Sequence, residues 1–381
     1  MYSDLTETQS ATRKKVRQFA RDNLDPVAQE IDSSQRTPPE VISAIAQTGW
    51  LGSGLPQDWG GGGLDPISYG LVIEEVGRAC SSVRSLMTVH NMATHALLRF
   101  GNEDQRQQWL PALCAGEKII AFALTEPDTS GATGDVRTTA RADGANYVLN
   151  GEKTWITYGQ VADQFLVFAL DGEHPIALLL ERGMAGFSVE PISDALGTRG
   201  SMLAHLKFDG VRIDASHKVG ATGAGINFVA NTAIDHGRYS VAWGAAGIAR
   251  ACLEASALRA AGQEEGRAPL IDHQLVQRRL TNILVNQTTA YALCMRAGHF
   301  RQAGDARAAS ETALAKYHAA DAASKAATDT VAIHGGNGCS SSFPAARYLR
   351  DATVLNIIEG TPEMHQIGLA SYVARKIHAE G

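Results

Sequence analysis

The spacing of apolar residues changes twice along the chain, and these changes limit the folds that the sequence can adopt. Up to about residue 120 apolar residues recur at helical spacing, as in Val16, Ala20 and Leu24. From about residue 121 the period becomes 2, which is typical of strands with one buried face. From Ile226 to the end the pattern is helical again. We therefore expect a fold of mixed α and β that is mostly α.

The two changes of period divide the chain into three parts. We expect a helical N-terminal domain over residues 1–120, a central β domain over residues 121–225 and a C-terminal helical domain over residues 226–381. No helical segments alternate with the strand candidates of the central part, which argues against a doubly wound sheet. Four long segments predict a C-terminal helix bundle, namely residues 226–262, 270–301, 307–334 and 344–379.

One stretch of the central part combines strand signals with an aromatic ring. The run from Tyr147 to Lys153 predicts a hairpin that turns at Asn150-Gly151, a pair that favours two-residue turns. Further along, Trp155 and Thr157 would point to one face of a strand, because side chains alternate. A large flat ring beside a hydroxyl suits a flat heteroaromatic cofactor with polar edges, although a tryptophan in the core is an equally good interpretation.

Composition and charge argue against several classes of partner. The net charge of -6, without a long basic run, argues against a nucleic-acid partner. No apolar run has the length of a membrane span or follows the basic start as a signal peptide would. The five cysteines form no CxxC pair, so we expect a reduced, cytoplasmic protein without a structural metal site.

Two loops have the small or polar residues of ligand-binding loops. Thr125-Glu126-Pro127 leaves a strand and is followed by a small-residue run that includes Ser130. Such a loop presents hydroxyls and N–H groups to a polar ligand, but it is also typical of a solvated surface. Gly335-Gly336-Asn337-Gly338 would let the backbone approach a phosphate closely, or would form an ordinary turn. The glycines from Gly220 to Gly225 lack a surrounding βαβ unit, so we do not expect a Rossmann site.

Glu359 is the candidate for acid–base chemistry. It follows Ile357 and Ile358 and precedes Gly360. If the two isoleucines pack, the carboxylate is poorly solvated and its pKa rises toward neutral pH, where a base can work. The glycine would let backbone or a ligand approach closely. On its own, however, the stretch is more typical of an exposed glutamate at the end of a helix.

Together and in this order, the motifs resemble the acyl-CoA dehydrogenase family over nearly the whole chain. The motifs that carry the resemblance are Thr125-Glu126-Pro127, Lys153-Thr154-Trp155-Ile156-Thr157, Gly200-Ser201, Gly335-Gly336-Asn337-Gly338, Arg350-Asp351 and Glu359-Gly360-Thr361. The resemblance implies a helical N-terminal domain, a central β-barrel-like domain and a C-terminal four-helix bundle. It also implies a homo-oligomer, dimer or tetramer, in which FAD lies between the β domain and the bundle and is completed by a neighbouring subunit.

The resemblance also implies roles for individual residues. Glu359 looks like the catalytic base, which removes the α proton of an acyl thioester while a hydride passes from the β carbon to FAD. Some members place the base just before an arginine in the helix after the β domain, and here that place is Gly237, before Arg238. Arg238 and Gly360 would lie on the substrate side. The implied contacts to FAD are Thr125, Ser130, Trp155, Thr157, Gln274, Gly335, Gly336 and Thr361.

Three positions depart from the family pattern. The Gly-Ser-Asp that usually follows Thr-Glu-Pro reads Ser130-Gly131-Ala132, and His365 stands where many members carry Gln. In the family pattern an Arg-x-x-Phe-Gly segment normally holds FAD from the next subunit. Residues 262–266 stand at this place and keep only the last Gly, although Arg267 could replace the missing arginine. This change supports one alternative, a non-catalytic scaffold that has lost FAD. A flavin oxidase or monooxygenase on the same fold is another, although such enzymes need oxygen activation more than a base such as Glu359.

A narrower resemblance concerns residues 80–88 and 237–244. They look like a subgroup that oxidises a glyceryl group on its acyl carrier protein and so helps make hydroxymalonyl or methoxymalonyl extender units for polyketides. Core packing of residues 82–87 is an equally good interpretation. The expected substrate is therefore an acyl thioester on a carrier protein or on CoA, with an unknown electron acceptor. The candidates for docking an acidic carrier protein are Lys14, Lys15, Arg278 and Arg279.

Overall fold

The computed structural model describes residues 5–127, 135–262 and 268–380. Within these ranges helices occupy both ends of the chain and a sheet occupies the middle. The expected fold class, mixed α and β and mostly α, is confirmed. Ser130-Gly131-Ala132 and residues 263–267 lie outside the described ranges, so the interpretations that concern them stay predictions.

Six helices make up the N-terminal part of the described chain, and the sequence specifies several of their starts. They are α1 Glu7–Asn23, α2 Ala28–Ser34, α3 Pro39–Gln47, α4 Pro66–Ala79, α5 Ser81–Phe100 and α6 Glu103–Cys114. Thr6 accepts from the N–H of Gln9, whose side chain bonds back to Thr6, so α1 begins with a capping box. Asp65 caps α4 by accepting from the N–H groups of Ile67 and Ser68. Helices α4 and α5 are buried along most of their length, so they form the centre of this part.

The central part is one sheet, with eight strands among the described residues. They are β1 Ile120–Ala123, β2 Thr139–Asp143, β3 Asn146–Ile156, β4 Gln164–Asp171, β5 His174–Glu181, β6 Phe187–Pro191, β7 Ala204–Asp214 and β8 Lys218–Val219. Their order is β6-β7-β3-β2-β4-β5-β8, and β1 pairs with β4 in parallel. Burial alternates along most of β7, as expected for a strand with one solvated face. No helix of the described chain separates consecutive strands as a βαβ crossover would, in agreement with the strand pattern of the sequence.

The predicted hairpin at Asn150-Gly151 is wrong. Strand β3 runs through these residues without turning, and the chain reverses between β2 and β3 at Gly144 and Ala145. Gly151 instead has φ +135° and lies where the pairing register with β7 shifts. A Cβ at Gly151 would lie 2.8 Å from the hydroxyl of Thr138. The glycine therefore allows an irregularity in the strand, because a neighbouring segment comes close to its backbone.

Five helices, not four, follow the sheet in the described chain. They are α7 Asn231–Ala261, α8 Gln274–Gln302, α9 Ala308–His334, α10 Ala345–Ile357 and α11 Pro362–Glu380, and a π-helical stretch, Gly225–Ala230, leads into α7. The segment predicted as one helix over residues 344–379 is interrupted, because Glu359 has φ +56° and Pro362 starts a new helix. Helix α9 packs on α7 and α8 through buried alanines, whose small side chains let helices approach closely. No described helix is both long enough and apolar enough to span a bilayer.

Two polar contacts determine how the sheet meets α5. Tyr158, two residues past the end of β3, is fully buried and donates its hydroxyl to the Ser82 carbonyl at 3.2 Å. The N–H of Gly200 donates to the Ser82 hydroxyl at 3.1 Å. The end of β3 is thereby held beside the first turn of α5.

Candidate active site

Glu359 lies in the break between α10 and α11, and its carboxylate faces α7. A Cβ added to Gly237 of α7 would lie 2.6 Å from Oε2 of Glu359 and 2.7 Å from Sδ of Met92 on α5. The residue as a whole is partly exposed, but Oε2 is buried and has no hydrogen-bond partner among the described residues. The carboxylate is therefore enclosed between a glycine and a methionine, with one oxygen available to a ligand.

The pKa of this carboxyl suits a base. Burial raises the pKa of Glu359 to about 7, although the positive charges of Arg238, Lys316 and Arg84 oppose the rise. A carboxylate with such a pKa is largely ionised slightly above neutral pH and still basic enough to accept a proton.

The source of the burial differs from the one predicted. Ile358 packs against the core, but Ile357 is 61 % exposed. The apolar pair therefore does not enclose Glu359. The desolvation comes instead from Gly237 and Met92, which belong to helices distant in sequence.

Lys316 of α9 and Arg238 of α7 hold the turn that carries Glu359. Lys316 is buried, and its Nζ donates to the carbonyls of Gly360 at 2.5 Å and Asn356 at 3.3 Å. Nε of Arg238 donates to the carbonyl of Glu359 at 3.2 Å. Burial lowers the pKa of Lys316 to about 8, against the attraction of Glu359. Lys316 was not among the residues predicted from sequence. The feature of the sequence that could have identified it is a single charged residue at a helix position where the spacing otherwise places buried alanines.

The residues after Glu359 shape the other side of the turn. A Cβ at Gly360 would lie 3.2 Å from Nε2 of His365, and the carbonyl of Thr361 accepts the N–H of His365. Burial and the nearby positive charges of Lys316 and Arg238 lower the pKa of His365 to about 4, so this ring is neutral. Within the described ranges the N–H of Glu359 donates to no backbone carbonyl. A free N–H beside a base can donate to a carbonyl oxygen on which charge develops.

Three of the predicted FAD contacts, Thr125, Trp155 and Thr157, lie together at the end of β3. The N–H of Thr154 donates to the carbonyl of Thr125 at 2.9 Å. The prediction that Trp155 and Thr157 share a strand face is wrong, because β3 ends at Ile156 and its register shifts just before that residue. Trp155 has φ +59° and is 56 % exposed. A strained backbone that holds a half-uncovered indole fits a flat aromatic group stacked on the ring.

A buried ion pair that was not predicted holds this group in place. Nζ of Lys153 lies 2.6 Å from Oε1 of Glu126 and 3.1 Å from the carbonyl of Leu124. Glu126 also accepts from the N–H groups of Arg137 at 2.7 Å and Thr138 at 3.0 Å. Burial raises the pKa of Glu126, but the charge and hydrogen bond of Lys153 hold it below its usual range. Burial lowers the pKa of Lys153 to about 8. The Thr125-Glu126-Pro127 motif and the motif that begins at Lys153 therefore contact each other through Glu126 and Lys153.

The remaining predicted FAD contacts within the described ranges, apart from Thr361, lie at one end of the bundle. Helix α8 begins at Gln274, α9 ends just before Gly335-Gly336, and Arg279 of α8 contacts Asp329 of α9. Gln274 and the two glycines are exposed, and nothing lies within 4 Å of a Cβ built on either glycine. An open backbone of this kind fits an extended ligand that approaches the bundle end closely.

Two motifs of the family pattern act as connections between the sheet and the helices. Asp351 accepts from the N–H of Thr198 and is buried, and Arg350 pairs with Asp32 at 2.8 Å. Gly200 contacts Ser82 as described above. These residues position the sheet against α5 and α10, so their presence follows from packing.

The basic residues suggested for docking a carrier protein do not form one patch. Arg279 is paired with Asp329. Arg13, next to Lys14 and Lys15, lies over the ring of Tyr291. That tyrosine is thirteen residues, or about 20 Å, further along α8 than Arg278. A docking surface that uses all four charges is therefore not supported.

Family models match three consecutive parts of the chain. The N-terminal, middle and C-terminal domains of acyl-CoA dehydrogenase match residues 6–117, 121–211 and 223–373. The chain belongs to the acyl-CoA dehydrogenase family. The enzymes of this family are FAD-dependent oxidoreductases that act on acyl thioesters, so the expected family and its cofactor are confirmed. The exposed indole of Trp155 and the open backbone at Gly335-Gly336 fit this cofactor.

Individual relatives are similar over nearly their whole length. An acyl-CoA dehydrogenase of Bacillus subtilis (strain 168) is 35 % identical over 97 % of this chain and 98 % of its own. Butyryl-CoA dehydrogenase from Megasphaera elsdenii has a TM-score of 0.94 and 30 % identity, over 98 % of this chain and 100 % of that one. FkbI, for biosynthesis of the methoxymalonyl extender unit of a polyketide, has a TM-score of 0.88 and 30 % identity, over 94 % of this chain and 99 % of that one.

Proposed function

We propose that the chain is an FAD-dependent dehydrogenase of acyl thioesters in which Glu359 is the catalytic base. The observation that carries the proposal is the enclosed carboxylate of Glu359, with a partner-free Oε2 and a pKa raised to about 7. Gly237 stands at the other place where family members carry the base, and its missing side chain leaves that space to Glu359.

In the proposed reaction Glu359 accepts the α proton of the thioester. Removal of this proton places negative charge on the thioester oxygen, and the N–H of Glu359 is available to stabilise it. A donor aimed at such an oxygen contributes about 3–4 kcal/mol. Arg238 and Lys316 hold the carbonyls on either side of this position, so the base and the N–H keep their relative geometry. FAD, when bound, supplies the acceptor for the hydride of the β carbon.

The proposed cofactor contacts fall into two groups. Thr125, Trp155 and Thr157 form the surface for the flavin ring, with Thr361 near the base and Ser130 on the loop beyond Pro127. Gln274, Gly335 and Gly336 form the surface for the adenosine end of an FAD bound mainly by a neighbouring subunit. Arg238 and Gly360 lie on the substrate side, next to Glu359.

We further infer that the natural acyl group is glyceryl-like and is carried by an acyl carrier protein in polyketide extender-unit biosynthesis. The similarity to FkbI and the sequence of residues 80–88 support this choice. The similarity to a butyryl-CoA dehydrogenase supports the alternative, a catabolic enzyme of acyl-CoA. Burial of residues 82–87 is consistent with either, because these residues also pack in the core.

Anaerobic bleaching of the flavin absorption separates these functions. The purified FAD enzyme is mixed with glyceryl thioesters of a carrier protein and of CoA, beside an ordinary fatty acyl-CoA. Rapid bleaching by the carrier-bound glyceryl group alone is the expected result. Bleaching by the fatty acyl-CoA alone would assign the enzyme to catabolism. Bleaching by none of them would contradict the dehydrogenase function itself.

A further inference from the structure

The hydroxyl of Tyr158 makes contacts that the local turn does not need. The backbone of Tyr158 is already held on both sides, because its N–H donates to the carbonyl of Ser201 at 2.8 Å. Its own carbonyl accepts from the N–H groups of Val161 at 3.0 Å and Ala162 at 2.9 Å. Tyr158 nevertheless has φ +55°, a conformation that costs a residue other than glycine about 1–3 kcal/mol. A fully buried tyrosine in such a backbone therefore points to a purpose beyond the turn itself.

The side chain of Tyr158 ends in a closed set of hydrogen bonds. Its hydroxyl lies 2.9 Å from the hydroxyl of Thr37 and 3.2 Å from the carbonyl of Ser82. Thr37 donates to the carbonyl of Gly200 at 2.8 Å, and the N–H of Gly200 donates to the hydroxyl of Ser82 at 3.1 Å. Because Thr37 uses its only hydroxyl proton on Gly200, Tyr158 is the donor toward both Thr37 and Ser82. These four residues form the Tyr158 network.

The Tyr158 network joins three other parts of the fold to the end of β3. Thr37 lies between α2 and α3, Ser82 lies in the first turn of α5, and Gly200 precedes β7. A Cβ at Gly200 would lie 2.2 Å from Cγ2 of Ile31 and 3.2 Å from Cβ of Ser82, so these parts meet without room for another side chain. All four residues of the network are buried, and hydrogen bonds in such surroundings are stronger than in water. The network is therefore a rigid connection.

This connection lies between the two halves of the proposed reaction site. On the sheet side, Thr157 of the surface for the flavin ring directly precedes Tyr158. On the helix side, α5 continues from Ser82 to Met92, which encloses the carboxylate of Glu359. The ten residues from Ser82 to Met92 span about 15 Å of helix, so the Tyr158 hydroxyl does not touch the reacting atoms. Any influence on the reaction must act through the placement of the two halves.

We propose that Tyr158 is a positioning residue whose hydroxyl fixes the surface for the flavin ring relative to the helix that encloses the base. This inference rests on the proposed function, because it takes Thr157 as a flavin contact and Glu359 as the base. Hydride and proton leave adjacent carbons of one acyl group, so the flavin and the base must keep a fixed separation. A phenylalanine would fill the same space as Tyr158, but it would remove the donor to Thr37 and Ser82.

Tyr158→Phe tests the inference, with Tyr147→Phe as a matched control. Tyr147 is a buried tyrosine of β3, and its hydroxyl makes no hydrogen bond within the described ranges. Each variant would be loaded with FAD, and we would measure the visible circular dichroism of the bound flavin and the flavin reduction rate at saturating thioester. Tyr158→Phe should change the flavin bands and lower the rate by about 10–10²-fold, since a small misplacement of reacting groups is costly. Tyr147→Phe should change neither.

Variants of Thr37 provide a second, independent test of the same network. Thr37→Val removes the hydroxyl that accepts from Tyr158, so it should change the flavin bands in the same direction as Tyr158→Phe. The double variant should lose less than the sum of the two single losses, because both remove one connection. Thr37→Ser keeps the hydroxyl and should behave like the unmutated enzyme. This comparison keeps the inference testable if Tyr158→Phe fails to fold.

The outcomes separate this inference from the proposed function. Unchanged flavin bands and an unchanged reduction rate in FAD-loaded Tyr158→Phe would overturn the positioning role, and so would equal changes in Tyr147→Phe. Unchanged bands in Thr37→Val would have the same meaning. If no thioester bleaches the flavin of the unmutated enzyme, the dehydrogenase function fails instead, and the circular dichroism of the bound flavin still decides the role of Tyr158.

Discussion

Glu359 combines two properties that are unfavourable for a glutamate, a buried carboxylate and a positive φ. A non-glycine residue with positive φ costs about 1–3 kcal/mol. Arg238 holds the carbonyl of Glu359, and Lys316 holds the carbonyl of Gly360. The surrounding contacts thus maintain a geometry that an isolated helix end would not adopt, and such a geometry is typical of a functional residue.

Replacement of Glu359, the proposed base, separates cofactor binding from chemistry. We expect Glu359→Gln to keep FAD and to lose substrate-driven flavin reduction by about 10²–10⁴-fold or more, because an amide cannot accept the α proton. Stopped-flow absorbance measures this rate. The control Glu363→Gln, at an exposed acid of α11, should reduce its flavin normally. An undiminished rate in Glu359→Gln would refute the assignment.

The pH dependence of flavin reduction follows from the raised pKa of Glu359. Because folding favours the protonated carboxyl, its contribution to stability is present at low pH and is lost as pH rises through about 7. Activity has the opposite sign and should rise through about pH 7, since the base must be ionised. Lys316→Met removes a charge that opposes the rise in pKa, so the ascending limb should move to higher pH. The exposed control Lys325→Met should not move it, and a limb unchanged in Lys316→Met would contradict the role of that charge.

At the scale of elements, most helices and strands could be predicted, because each has a regular spacing of buried and exposed residues along its own sequence. The irregularities within these elements could not be predicted, because they depend on contacts with residues that are distant in sequence. The pairing register of β3 with β7 shifts at Gly151, where Thr138 comes close, and Trp155 adopts a positive φ beside the pair of Lys153 with Glu126. The break at Glu359 had a local signal in Gly360 and Pro362, but the apolar pattern continues through it and predicted one helix.

The buried ion pair between β3 and the Thr125 loop should be important for stability. Lys153→Met leaves Glu126 without its cation, and breaking a buried pair from one side typically costs about 3–5 kcal/mol of the free energy of unfolding. Urea denaturation of the FAD-loaded protein measures this loss. The control Lys207→Met, which removes an exposed and solvent-screened pair with Glu190, should change stability far less. Similar losses of stability in both variants would show that the buried pair contributes no more to the free energy of unfolding than the exposed pair.

At the scale of the whole molecule, the helix–sheet–helix layout was predictable, whereas the enclosure of Glu359 was not. This enclosure depends on Gly237 and Met92, two neighbours that lie far apart in the sequence and that only the packing of the helices brings together.

Exposed apolar residues on the outer helices predict self-association. Those on α8 are Leu275, Leu284 and Val285, and those on α11 are Met364, Ile367, Val373 and Ile377. Recurring exposed apolar side chains mark protein interfaces. We expect a dimer or tetramer in sedimentation velocity, and Leu284→Lys should shift it toward smaller species and lower the FAD content. Leu196→Lys, at an exposed leucine outside these helices, is the control. A monomer that keeps full FAD would contradict both expectations.

The closeness of Gly237 and Glu359 also limits how such a site can change over evolutionary time. The position of α7 and the position of the turn share one small volume, so a chain with glutamates at both would be crowded and a chain with neither would have no base. If the base moves from one position to the other by two successive substitutions, the intermediate sequence has either both glutamates or neither. Either intermediate would be impaired, whichever substitution comes first. Lineages should keep the position that they inherited, even when their substrates diverge.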